Sequence, residues 1–145
     1  MRPDRPRGSA VFVAGGASAT LHRTLFAYCE GAVWSAGAFV ATKTRFKECS
    51  IPGADPPECD VYIADGAPTP RLTSCIFGQY AIGISFPVTS GLILTDVEFG
   101  TGWYAFQARG GANPALVEAI NAEGTAEGGT DVRRPAYTKT FPPVT

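Results

Sequence analysis

The chain is poor in the residues that carry out chemistry. His22 is its one histidine in 145 residues, and a serine or cysteine nucleophile needs an adjacent base, so every such scheme would have to share it. It falls inside an expected strand between Leu21 and Arg23, where a histidine ordinarily serves structure. Charged residues make up only 17%, and the two signs nearly cancel to a net charge of −1. That balance argues against a nucleic-acid binder, although the basic head Arg2, Arg5 and Arg7 can touch phosphates locally. No apolar run approaches the roughly twenty residues of a membrane-spanning helix, and the opening Met1-Arg-Pro-Asp-Arg-Pro-Arg7 lacks the apolar stretch of a secretory signal. The expectation is a protein without membrane contact, made in a cytoplasm.

Metal and cofactor chemistry is equally thin in the sequence. Cys29, Cys49, Cys59 and Cys75 show no Cys-x-x-Cys spacing, so buried free thiols are expected rather than a zinc site. A Cys49–Cys59 disulfide stays open as an alternative in an oxidising compartment. Asp55, Asp60 and Asp65 lack the dense acidic pattern that wraps calcium. The pairs Gly15-Gly16, Gly110-Gly111 and Gly128-Gly129 lack the spacing of a phosphate cradle. Asp96 and Glu98 read as strand polarity rather than as a glycosidase pair. The expectation is no enzyme, no cofactor and no metal.

What the chain does have is turn residues and apolar residues: 17 glycines, 12 prolines and 45% hydrophobic positions. That mixture suits an all-β domain. Short strands are expected at 10–14, 20–29, within 32–47 on either side of Gly37, at 59–64, 72–77 and 80–88. In the last, Tyr80, Ile82, Ile84, Phe86 and Val88 alternate with smaller residues. Leu25, Ala27 and Cys29 are expected to point inward on the second strand, and Val61 and Ile63 on the strand at 59–64. Residues 91–99 and 103–109 read as the arms of a hairpin about Gly100-Thr101-Gly102, with Ile93, Thr95, Val97 and Phe99 on one face. No internal repeat is read from the sequence. The expected architecture is an antiparallel β-sandwich, jelly-roll or immunoglobulin-like, over 9–109. An extended N-terminal arm precedes it at 1–8. A C-terminal extension follows at 110–145, with one short helix near 114–122 capped by Asn113 and Pro114.

Aromatic residues Trp103, Tyr104 and Phe106 on one strand, with Trp34 and Tyr62 elsewhere, are candidates for a sugar-binding or base-stacking platform. Core packing and subunit contact are commoner uses of such residues. The candidate interface residues are Arg2, Arg5, Arg7, Trp103, Tyr104, Arg133, Arg134, Tyr137 and Phe141.

Three segments together resemble a known group. Ala19-Thr-Leu-His-Arg-Thr-Leu25, Cys59-Asp-Val-Tyr-Ile-Ala-Asp-Gly66 and Phe86-Pro-Val-Thr-Ser-Gly-Leu-Ile-Leu94, the last followed by Gly100-Thr-Gly-Trp-Tyr-Ala-Phe106, are similar to the small β-sandwich proteins of tailed-bacteriophage virions. The resemblance implies a non-enzymatic structural component, most simply a capsid decoration or cement protein, with a neck or tail protein as the alternative. A receptor- or carbohydrate-binding sandwich is the reading from another class. The implied partners are the major capsid protein or other virion proteins and further copies of the chain, and the implied location is the virion.

Overall fold

The computed structural model describes residues 9–50, 59–100, 102–110 and 137–144. All regular structure among them is β. The strands are β1 Val11–Val13, β2 Ser18–His22, β3 Leu25–Ala27, β4 Val33–Ser35, β5 Ala38–Thr42, β6 Arg45–Lys47, β7 Cys59–Ile63, β8 Arg71–Thr73, β9 Ile76–Phe77, β10 Tyr80–Pro87, β11 Leu92–Phe99, β12 Gly102–Arg109 and β13 Tyr137–Phe141.

Their pairing overturns the expected antiparallel sandwich. β1, β4, β7, β10 and β12 line up in parallel as one face. β2, β5, β8 and the first part of β11 form a second parallel face, and β3, β6, β9 and the end of β11 a third. The chain visits the three faces in turn and advances by one strand spacing, about 4.8 Å, per circuit. This is a β-solenoid, in which each rung contacts only its neighbours. Period-two alternation reports that a strand has one dry side; it carries no information on which strand lies alongside. The expected hairpin fails for the same reason, since β12 pairs with β10 and not with β11. Gly100 instead leads the chain from one rung to the next.

The corner between the second and third faces explains the other misreadings. Arg23, Lys43, Ser74 and Asp96 occupy it in successive rungs, all in the left-handed region, with φ of 51°, 49°, 54° and 55°. Each such residue costs about 1 kcal/mol or more of backbone strain. The ladder compensates: the N–H groups of Arg23, Lys43 and Ser74 donate to the carbonyls of Thr42, Thr73 and Thr95 at 3.1, 3.0 and 2.9 Å. The kink also resets the alternation. Leu94 and Val97 both point inward across Asp96, while Thr95 is exposed and Ile93 half-buried. In β3, Phe26 is buried, and Leu25 and Ala27 are exposed, the reverse of the expected parity. Where no corner intervenes the parity holds: Val61 and Ile63 are buried in β7.

A repeat is therefore present. Thr24-Leu-Phe26, Thr44-Arg-Phe46, Cys75-Ile-Phe77 and Val97-Glu-Phe99 each follow a corner residue. The Pro-rich stretch 50–57 lengthens one interval and hides the period. The repeated phenylalanines stack inside the solenoid, with ring centroids 5.4, 4.5 and 5.2 Å apart from Phe26 through Phe46 and Phe77 to Phe99. Val33, Val61 and Ile84 stack in register on the first wall, and Ala41, Leu72 and Leu94 on the second.

The two ends differ. β13 lies antiparallel on the outer edge of β11, with Leu92 opposite Phe141 and Leu94 opposite Lys139. Phe141 is buried and packs beside Phe86 at 6.2 Å. The close passage needs glycine at 91: φ there is 68°, and a Cβ would lie 2.5 Å from the Phe141 carbonyl oxygen. At the other end, β1, β2 and β3 each pair on one side only. The arm at 1–8 and the helix near 114–122 lie outside the described residues, and no helix occurs among those described. The segments of the phage resemblance take other roles than sandwich strands. Leu21-His22-Arg23 is the end of β2 and its corner, Asp65-Gly66 the turn after β7, and Ser90-Gly91 the entry to β11.

Candidate functional site

The first rung is the most accessible apolar part of the described surface. Leu25 and Tyr28 are 61% and 68% exposed, and Phe12 is 36% exposed. Phe12 lies on β1 and Leu25 on β3, with Tyr28 just after it, and these strands are the outermost members of their faces, with a strand neighbour on one side only among the described residues. An unpaired edge beside exposed apolar side chains is a template for strand addition.

A second feature runs along the outer side of the first face. Phe12 stacks on Trp34 at 4.8 Å, and Trp34 on Tyr62 at 6.2 Å. In the next rung Ser85 takes the column. The aromatic run is then continued by the guanidinium of Arg109, 4.1 Å from the Tyr62 ring centre. Arg109 is held there by donating to Ser85 Oγ at 2.6 Å and to the Ile63 carbonyl, and by lying 3.6 Å from the Asp65 carboxylate. Trp34 and Tyr62, two members of the expected platform, do come together. Trp34 is nevertheless only 6% exposed, which leaves no open stacking surface at its ring. Two residues before Tyr62, on the same side of β7, Asp60 is fully buried. Its Oδ1 accepts from Ser50 Oγ at 2.6 Å, and Ser50 Oγ accepts from the Ala81 N–H at 2.9 Å. Asp60 Oδ2 and Trp34 Nε1 are buried without a hydrogen-bond partner among the described residues. Burial pushes the Asp60 carboxyl well above its ordinary range, and the Ser50 bond opposes that only in part.

The third feature is a shallow groove at the corner, lined by Arg23, Lys43 and Arg45 with Thr24, Thr44 and Ser74. All three cations are exposed, and none forms an ion pair among the described residues. The acid nearest in the ladder, Asp96, stands at the far end and accepts from Ser74 Oγ at 3.3 Å. This basic corner was not foreseen, because its members are scattered in sequence and only the solenoid stacks them.

The single histidine is on the exposed surface, with Nδ1 2.7 Å from Thr42 Oγ1. Among the described residues no group of His, Cys, Asp and Glu could hold a metal ion, and no helix is long and apolar enough to cross a membrane. Of the sequence-derived interface residues, Phe141 belongs to the core and Tyr104 is half-buried on β12. The side chains of Trp103 and Tyr137 lie outside the described set, as do Arg2, Arg5, Arg7, Arg133 and Arg134. Neither a family model, nor a curated protein, nor a solved structure matches this chain.

Proposed function

We propose that this protein is a non-enzymatic structural module that assembles through its open first rung. The observation that carries the reading is a contrast along the solenoid: at one end β13 covers the second-face part of β11, whereas at the other β2 and β3 have a strand neighbour on one side only among the described residues, beside the exposed Leu25 and Tyr28. Solenoids need a cap at each end, because an uncovered rung exposes both backbone groups and core. A second copy can supply it. Two first rungs meeting about a two-fold axis bring β2 against β2 in antiparallel sense, a contact that closes on itself. Light scattering on the purified chain is the test. A particle of twice the 15.2 kDa chain mass is expected, reverting to the single mass when Phe12 and Leu25 are both changed to Ser with the β circular-dichroism spectrum intact. A wild-type chain that stays monomeric at every concentration would refute self-assembly.

The finer form of this proposal is a tailed-bacteriophage virion component, with the major capsid protein or another virion protein as partner. Its support is the short sequence motifs alone, since the sandwich they implied is not the fold. Co-sedimentation of the chain with particles, lost in the same double variant, is its test.

The basic corner favours a second reading, recognition of an acidic carbohydrate. Arg23, Lys43 and Arg45, exposed and without an ion pair among the described residues, gather positive charge in one groove, while the Thr24 and Thr44 hydroxyls beside them already donate to the His22 and Thr42 carbonyls. Retention on a sulfated-glycan column that falls with salt and with Arg45→Glu would support it; passage without retention in low salt would dismiss it.

A further inference from the structure

Cys29 and Cys49 hold the same place in successive rungs. Each follows a residue in the left-handed region, Tyr28 with φ 57° and Glu48 with φ 51°. The strands before them run in register, Leu25 beside Arg45, Phe26 beside Phe46 and Ala27 beside Lys47. The Tyr28 N–H donates to the Lys47 carbonyl at 2.9 Å and carries that register round the corner. The Cys29 thiol then donates to Cys49 Sγ at 3.2 Å. Rungs about 4.8 Å apart lie within the separation of about 4.4–6.8 Å that a disulfide demands of its Cα atoms. Closing the bond brings the two sulfurs from 3.2 Å to about 2.05 Å. Cys29 and Cys49 are free thiols in this structure.

We propose that Cys29 and Cys49 are a disulfide site that fastens the first rung to the second when the chain meets an oxidising thiol–disulfide pool. The oxidant is a small-molecule disulfide such as oxidised glutathione. The Cys29 thiolate attacks one of its sulfurs, forming a mixed disulfide and expelling one glutathione thiolate. The Cys49 thiolate then attacks the Cys29 sulfur and expels the second. Two protein thiols are oxidised, one glutathione disulfide is reduced to two thiols, and the two protons pass to the departing glutathiones. Cys29 is half-buried and Cys49 fully buried, which makes Cys29 the thiol that meets the reagent. Burial, the contact with Cys29 and the nearby Asp60 charge push the Cys49 thiol up to about 12. Closure is therefore slow at neutral pH and rises about tenfold per pH unit below that value.

The link would support the rung that needs it most. The first rung has a strand neighbour on one side only, and a covalent tie to the second replaces part of the missing support. The competing Cys49–Cys59 bridge, nearer in sequence, lacks the shared ladder position that Cys29 has. Cys75 sits in another column, donating to the Ala41 carbonyl at 3.6 Å.

The test is a non-reducing peptide map of the full chain after incubation with oxidised glutathione. Cleavage after Lys and Arg leaves Cys29 on 24–43 and both Cys49 and Cys59 on 48–71, and further cleavage after Glu58 separates the last two. The expected product joins Cys29 to Cys49, removes two of the four titratable thiols, and raises the thermal midpoint by about 5–10 °C, reversed by reductant. Cys29→Ala should abolish the link and the shift, and Cys59→Ala should keep both. A bridge through Cys59 or Cys75, only intermolecular bridges, or no bridge in a folded chain would overturn the proposal. Should Cys29→Ala fail to fold, the wild-type map and Cys59→Ala still decide the outcome. The result is independent of whether the first rung docks on a partner.

Discussion

The inner column repeats one residue type, Phe26, Phe46, Phe77 and Phe99, through four rungs, whereas the outer column changes at every rung, from Phe12 to Trp34, Tyr62 and Ser85. Both are spaced by the same ladder. Inside, the middle rings Phe46 and Phe77 are enclosed by the rungs above and below and by the opposite walls, so shape fixes the residue. Outside, Trp34 and Ser85 are buried as well, but their neighbours change from rung to rung, and at Tyr62 a guanidinium takes the place of a ring. Register alone thus does not dictate chemistry; the neighbours that close each column do.

The largest effect should come from breaking the inner column in its middle. Phe46→Ala is expected to cost about 3–5 kcal/mol, read as a lower urea midpoint, with Phe46→Leu retaining most of the stability. A loss under about 1 kcal/mol would mean that the rings are not the close-packed centre they appear in contact distances to be.

Asp60 asks whether part of the outer side is as dry as the inner. Its folded-state pKa is raised above the ordinary 3.8, so the native state holds a proton that the unfolded chain releases. The stabilising difference is full below 3.8 and is lost as pH rises through the folded-state value. Urea midpoints should therefore fall with pH across that window in the wild type. The fall should be smaller in Asp60→Asn, which is expected to be the more stable of the two at pH 8. Identical pH profiles for both would show that water reaches this carboxyl.

Removal of Arg109 tests the outer column where it leaves aromatic chemistry. Arg109→Ala should cost about 1–2 kcal/mol through the lost contact with Tyr62 and the bonds to Ser85 and Ile63. Arg109→Lys should not restore it, because a point charge cannot stack and fork together. The smallest change is expected at the open end: Phe12→Ala should cost under about 1 kcal/mol in the monomer, measured by thermal melting. A larger loss there would show that Phe12 is closed off within its own chain.

Strand positions were legible in the sequence where alternation ran unbroken, as in β10 and β7, and where a short apolar run stood before glycines, as in β1. Pairing was not, because alternation is the same for a parallel and an antiparallel neighbour. The repeat that would have revealed the solenoid is only three residues wide, with Thr, Cys or Val two before Phe, and the insertion at 50–57 breaks its period. Left-handed corners at Arg23, Lys43, Ser74 and Asp96 carry no glycine to announce them. Their stacking into a basic groove, and the meeting of Cys29 with Cys49, are products of that hidden register. The aromatic pair Trp34 and Tyr62 was foreseeable as a group by residue type, but the same-face partners Phe12 and Arg109 were not.

β13 gives the solenoid a direction. β11 precedes it in the chain, so during synthesis the bare edge of β11 exists before the strand that will hide it, and any extended segment nearby can compete for the place. Once Phe141 has seated beside Phe86, further lengthening along the second face is blocked at that end. A second molecule adding at that end would find the second face taken while β12 on the first face pairs on one side only among the described residues, so a continuous three-faced stack is disfavoured and small closed complexes are favoured over fibres.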